Sequence, residues 1–151
     1  MSDRRQVDLP NFSNSEGACQ CGCHELPGDE VMTCVQALVF ALSRKLGKPV
    51  QCRLSCGARC HKHDADVQAI EAAAGRETST DSQHPKLAAV DCTFWAQDEC
   101  GAWHQIDNTT VALLAISSGL FGGVGYLRYL KNRVNLVHLD VRHAGGTVAT
   151  W

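Results

Sequence analysis

Ser82-Gln83-His84-Pro85-Lys86-Leu87-Ala88-Ala89-Val90-Asp91 is the stretch around which the rest of the chain is read. It joins a histidine to an aspartate through small and apolar residues, the pattern of a turn entering a strand. An imidazole nitrogen and a carboxylate oxygen joined in this way can reach one borderline cation such as zinc. A third ligand comes late, in Val134-Asn135-Leu136-Val137-His138-Leu139-Asp140-Val141-Arg142. Apolar and polar residues alternate there with the period of a strand, so His138 and Asp140 share a face. Two histidines, one carboxylate and an open fourth position make a catalytic zinc site, with His84, Asp91 and His138 as its metal ligands.

Outward from this stretch the pattern gives an α+β chain. From Gly28 it turns helical, with Asp29 as cap and Val31, Cys34, Val35, Leu38, Leu42 and Leu46 at three- and four-residue spacing before Gly47 and Pro49. Val50 to Ser55 reads as a strand and Asp64 to Ala74 as a weaker helix. Gly75 to Ser82 is a polar loop delivering His84, and Ala89 to Phe94 is the strand that carries Asp91. Asn108 or Thr109 caps a helix through Ser117; a glycine-rich turn follows, and Tyr126 to Tyr129 and Leu136 to Val141 read as strands. The apolar run Val111 to Leu127 is broken by Ser117, Ser118 and glycines, so no membrane span is expected. Helices on a small, mainly antiparallel sheet are the expected architecture.

Composition bounds the function. The 151 residues are enough for one domain with a real core. The 14 Lys and Arg are scattered, the formal net charge is −2 and the pI is near 6.4. No basic footprint for nucleic acid or an anionic membrane is present. The start, Met1-Ser2-Asp3-Arg4-Arg5, lacks the apolar core of a secretion signal, so synthesis in a cytoplasm without a signal peptide is expected, a bacterial one if the resemblance below holds. Nine cysteines are an odd count, which excludes complete intramolecular pairing, and a reducing compartment favours metal ligation or free thiols. Cys19, Cys21 and Cys23 make a thiol-rich turn that Cys34, Cys52, Cys56 or Cys60 could complete as a structural metal site; thiols without metal are the alternative. Cys56, Cys60, His61 and His63 form a second cluster. His24, His61, His63, His104 and His143 are otherwise read as structural histidines.

These residues, in order, resemble a family. Cys19 to Cys23, Gly47-Lys48-Pro49, Cys56-Gly57-Ala58-Arg59-Cys60, Ser82 to Asp91, Gly119 to Tyr126, His138-Leu139-Asp140-Val141-Arg142 and Trp151 together resemble the zinc D-alanyl-D-alanine carboxypeptidases and the bacteriophage L-alanyl-D-glutamate endopeptidases, most closely the short phage-type branch. The resemblance implies a zinc DD-peptidase (hedgehog-like) fold, with a cysteine-containing segment over 1–27 and a catalytic domain over 28–151. It implies one catalytic zinc on His84, Asp91 and His138, Arg59 holding substrate or the developing oxyanion, and Ser82 binding substrate. The substrate would be a peptidoglycan stem peptide in the cell wall, and the partners other virion or tail proteins. Departures are visible too. Asn135 stands where many relatives carry an acidic base, which leaves Asp140 as the substitute base or as a carboxylate that orients a ligand histidine. Leu87 replaces a glycine, suggesting a reshaped turn, and Ala58 replaces a tyrosine. A structural or tail-assembly module that has lost catalysis is the alternative function class.

Overall fold

The computed structural model describes residues 9–79, 81–142 and 146–151. Met1 to Arg5, Thr80 of the polar loop and His143 lie outside the described residues. Helix α1 (Asp29–Leu46) is the scaffold. Gly28 rather than Asp29 is its N-cap, so Asp29 and Glu30 fall in the first turn, where carboxylates complement the helix dipole. Gly47 closes it at φ 63, a left-handed conformation that suits glycine. Val31, Met32, Val35, Leu38, Val39 and Leu42 are buried along one face, each contributing roughly 1.5–3 kcal/mol of apolar burial.

Strand β1 (Val50–Cys56) follows, then α2 (His61–Ala73), β2 (Ala89–Gln97), β3 (Trp103–Gln105), α3 (Asn108–Ser118), β4 (Gly123–Gly125), α4 (Leu127–Lys131), β5 (Val137–Asp140) and β6 (Ala149–Thr150). Among the described residues these strands form one six-stranded sheet in the order β1-β2-β5-β4-β6, with β3 also on β2. Every pairing is antiparallel except β4 with β6, so the domain is α+β with a mixed sheet. One face packs on α1 and α3 through Cys52, Val90, Cys92, Phe94, Val124, Val137 and Leu139. Asp91, His138 and Asp140 alternate with these residues and point to the other face.

Several sequence expectations shift. Helix α2 starts at His61, earlier than Asp64, because the Cys60 sulfur caps it by accepting from the His63 amide. Asp107, not Asn108 or Thr109, caps α3, accepting from the Thr110 amide at 3.1 Å. The strand expected over Tyr126–Tyr129 is instead the start of the short helix α4, with Tyr126 as its N-cap: Tyr126 and Leu127 both donate to the Trp151 carbonyl, and Leu130 donates back to Tyr126. No helix among the described residues is long and apolar enough to cross a membrane.

Candidate functional site

Strand register builds the site. Cys56 pairs with Asp91, Asp91 with His138, and His138 with Gly125, so four strands bring these residues into one row. The next row on the same face is Ala89, Asp140 and Gly123. Small residues are required at the flanks. A Cβ on Gly123 would lie 2.5 Å from the Asp140 carboxylate, and one on Gly125 would lie 2.7 Å from the Trp151 indole nitrogen and 3.1 Å from the His138 side chain. The glycine-rich segment before the last histidine therefore makes room for the site.

Asp91 is the hub. Its Oδ1 lies 2.8 Å from His138 Nδ1 and its Oδ2 lies 3.4 Å from His84 Nε2. His84 arrives from the loop before β2, where its Nδ1 donates to the Gly57 carbonyl at 2.7 Å. That bond fixes the ring and leaves Nε2 as the nitrogen facing Asp91. Leu87, in the same loop, has φ 57, the left-handed region that glycine favours, and its carbonyl accepts from the Gly28 amide at 2.7 Å. The turn is thus made with Leu87 in a glycine-like conformation, at a backbone cost of about 1–2 kcal/mol.

The electrostatics are those of a buried ion network. Burial would lower the His84 pKa, but the Asp91 charge and hydrogen bond, with Cys56, push it up to about 10. Burial also opposes protonation of His138, and the Asp140 and Asp91 hydrogen bonds raise its pKa nonetheless. Burial would raise Asp91, yet His84 and His138 hold its carboxyl well below the usual carboxylate range. These three groups are 4–6% exposed. A divalent cation on the same atoms would take the place of the histidine protons.

Asp140 stands behind His138. It is fully buried, with Oδ2 3.0 Å from His138 Nε2, while Arg142 donates to both of its oxygens through Nε and through the main-chain amide and Nη2. Burial would raise its pKa, but His138 and Arg142 hold it at about 2. Arg142 stacks 4.6 Å over the Trp151 ring, whose centroid is 5.3 Å from that of His138. With every oxygen engaged, Asp140 has the geometry of a carboxylate that orients a ligand histidine. Asn135 is remote in its bonding: its amide forms a surface cluster with Gln105 and Asn108.

Arg59 reaches the row from the loop between β1 and α2. Its Nη2 is 3.5 Å from Asp91 Oδ2, its Nη1 3.3 Å from Asp64 Oδ1, and its Nε donates to Cys56 Sγ at 3.1 Å. Ser82 Oγ donates to the same Asp64 oxygen at 3.1 Å. Asp64, the one residue that α2 buries, ties together the two side chains expected to contact substrate. Cys56 and Asp64 are the site residues that the sequence reading did not assign. The sequence places Cys56 in the cysteine clusters instead of beside Asp91, and Asp64 only at the start of a helix. Donor atoms of Cys56, His84 and Asp91 all lie within 4.8 Å of one another, and such a group could hold a metal ion. His138, expected as the third ligand, is not in this group: its Nδ1 lies on Asp91 Oδ1 and its Nε2 on Asp140 Oδ2, and Cys56 stands in its place. The thiol, carboxylate and imidazole suit a borderline divalent cation, and the second nitrogen of the His84 ring lies against the Gly57 carbonyl.

A second group lies at the start of the described chain. Sulfurs of Cys19, Cys21, Cys23 and Cys60 lie within 4.8 Å of one another and could also hold a metal ion. Cys19 Sγ is 3.4 Å from Cys21 Sγ and 3.2 Å from His63 Nδ1, and Cys21 Sγ is 3.5 Å from Cys60 Sγ. Burial would raise the Cys19 thiol, but the Cys21 and Cys60 amides and His63 bring it down to about 6. The expected cluster of Cys56, Cys60, His61 and His63 is therefore divided. Cys60 and His63 join the first cysteines, Cys56 joins the Asp91 row, and His61 is exposed. Cys34 lies on α1, and Cys52 is buried in the core beside Cys92. No family model, curated protein or solved structure matches the chain.

Proposed function

We propose that the protein is a zinc-dependent peptidase that hydrolyses amide bonds in peptidoglycan stem peptides, phage-associated and acting on the cell wall in lysis or penetration, on a zinc DD-peptidase-like fold. The observation that carries the reading is the arrangement of His84 Nε2 and His138 Nδ1 on the two oxygens of Asp91, each ring anchored through its other nitrogen. The ordered resemblance of the chain to that family supplies the substrate class. When bound by His84, Asp91 and His138, zinc supplies Lewis acidity to a scissile carbonyl. The chain's own residues do the rest. Arg59, anchored by Asp64 and Cys56, keeps a guanidinium beside the row to receive a terminal carboxylate or a developing oxyanion. Ser82, held by the same Asp64, sets a hydroxyl near it. Asp140 holds the His138 ring rather than moving a proton.

The test is digestion of purified peptidoglycan with scoring of newly released amino termini. Wild type loaded with zinc is expected to release them and His138→Ala to release none. In Asp140→Asn an orienting role predicts metal binding roughly 10–100-fold weaker, whereas a base role predicts unchanged binding and a fall in turnover alone. A second reading, a catalytically degenerate structural or tail-assembly module, is favoured by the engagement of Asn135 and Asp140, neither of which offers a free carboxylate. Zinc bound at the row without cleavage of any wall preparation would select it.

A further inference from the structure

The four thiols of Cys19, Cys21, Cys23 and Cys60 do not belong to the Asp91 row, and the peptidase reading gives them no role. They come from two segments far apart in sequence: an alternating Cys-Gln-Cys-Gly-Cys turn and the N-cap of α2. Gly22 holds the turn at φ 84, with no atom near where a Cβ would stand, so its place is conformational. Sulfur separations of 3.4 and 3.5 Å approach the edge of a thiolate tetrahedron, ~3.8 Å for sulfur at about 2.3 Å from zinc. Main-chain amides of Cys60 and His63 point at Cys19 Sγ and Cys60 Sγ, each at 3.4 Å, an environment that favours thiolates.

We propose that Cys19, Cys21, Cys23 and Cys60 bind a structural zinc ion as a tetrathiolate, with His63 hydrogen-bonded to the Cys19 sulfur. The ion ties the N-terminal segment to the loop that carries Arg59. Ala58 donates to the Gly17 carbonyl at 2.9 Å, Gln20 reaches the Ser55 carbonyl, and the Gly57 carbonyl in that loop anchors His84. Gly57 itself allows the approach, since a Cβ there would lie 2.2 Å from the Gly17 oxygen. This zinc is separate from the row metal, so the two readings fail separately.

Two measurements on the full chain test it. The first is zinc content by elemental analysis after purification in reductant. Two equivalents are expected in wild type, one in His138→Ala and one in the double variant Cys21→Ser, Cys23→Ser. A double variant with the wild-type content overturns the site. The second needs no variant and so holds even if the double variant does not fold: alkylation of native wild type by iodoacetamide, mapped by mass spectrometry, with the exposed Cys100 as internal reference. Cys21 and Cys23, also exposed, are expected to react at least tenfold more slowly than Cys100 when loaded with zinc and at comparable rates after a chelator. Equal rates in the loaded protein, or disulfide-linked peptides from this cluster in place of bound zinc, overturn the proposal.

Discussion

The Asp91 row and the cysteine knuckle meet at one short loop, Gly57 to Cys60, yet they are held by different means. In the row, strand register fixes where each donor stands: Asp91 faces Cys56 on one side and His138 on the other, buried and hydrogen-bonded throughout. The knuckle has no register. It is a turn laid against a helix end, and two of its four thiols are exposed. Ladder pairing and ion pairs order the first, whereas turn hydrogen bonds from Cys19 to Glu25 and from Gly22 to Cys19 order the second, to which the proposed zinc would add. Burial of charge is the consequence: the row must carry compensating protons when it lacks a cation, and the knuckle need not.

The largest test of that contrast is pH. His84 is raised from 6.5 to about 10, so its contribution to stability is fully present below pH 6.5 and is lost as pH rises through 10. Asp140 is lowered from 3.8 to about 2, and Asp91 is lowered as well, so theirs is present above pH 3.8 and is lost as pH falls through the folded values. Chelator-treated protein should therefore melt highest between about pH 4 and 6.5 and lose several degrees by pH 9. His84→Gln should remove most of the alkaline loss, and zinc should abolish it, because liganded histidines are neutral. An alkaline loss undiminished in His84→Gln would mean that His138, raised by the same carboxylates, or the knuckle thiols set the pH response in place of His84.

A smaller effect separates space from conformation. Gly125 is needed for room beside Trp151 and His138, so Gly125→Val should cost about 1–3 kcal/mol and displace the Trp151 ring. Gly22 in the knuckle has room but needs its positive φ, so Gly22→Ala should cost about 1–2 kcal/mol and leave Trp151 fluorescence unchanged. Chemical denaturation with Trp emission reads both, although Trp95 and Trp103 also emit and difference spectra are the quantity to compare. Equal spectral changes in the two variants would erase the distinction.

The same distinction explains what the sequence made legible. Helix α1 and strand β1 carry strong periodicity because each buries one face, while β2 and β5 alternate core apolar residues with the buried polar residues of the row, and the outlines of all four are legible to within a few residues. Strands β3, β4 and β6 are two or three residues long, and β4 is Gly-Val-Gly, whose glycines exist for Asp140, His138 and Trp151, partners that no local pattern shows. His84, Asp91 and His138 could be chosen from spacing and resemblance, but Cys56 joins them only through pairing across β1 and β2. Asp64 was hidden for a similar reason. Its partners Arg59 and Ser82 converge on it only after α2 folds back toward the row.

Leu87 gives the smallest test, because it asks how far the row's frame can impose an unfavoured backbone. Its φ of 57 is held from both sides: its amide donates to the His84 carbonyl at 3.0 Å and its carbonyl accepts from Gly28 at the head of α1. Leu87→Gly relieves about 1–2 kcal/mol of left-handed strain but gives up half-buried apolar surface and adds entropy to the unfolded chain, about 0.4–1 kcal/mol of it. The net change should stay within about 1 kcal/mol. Leu87→Val keeps apolar surface but puts a β-branched residue at positive φ, and it should be less stable than Leu87→Gly by about 1 kcal/mol or more. Denaturant midpoints of the two variants read that gap directly. If valine and glycine were equally stable, the turn would have moved out of the left-handed region, and the placement of His84 would depend on the loop's side chains instead of on hydrogen bonds to α1.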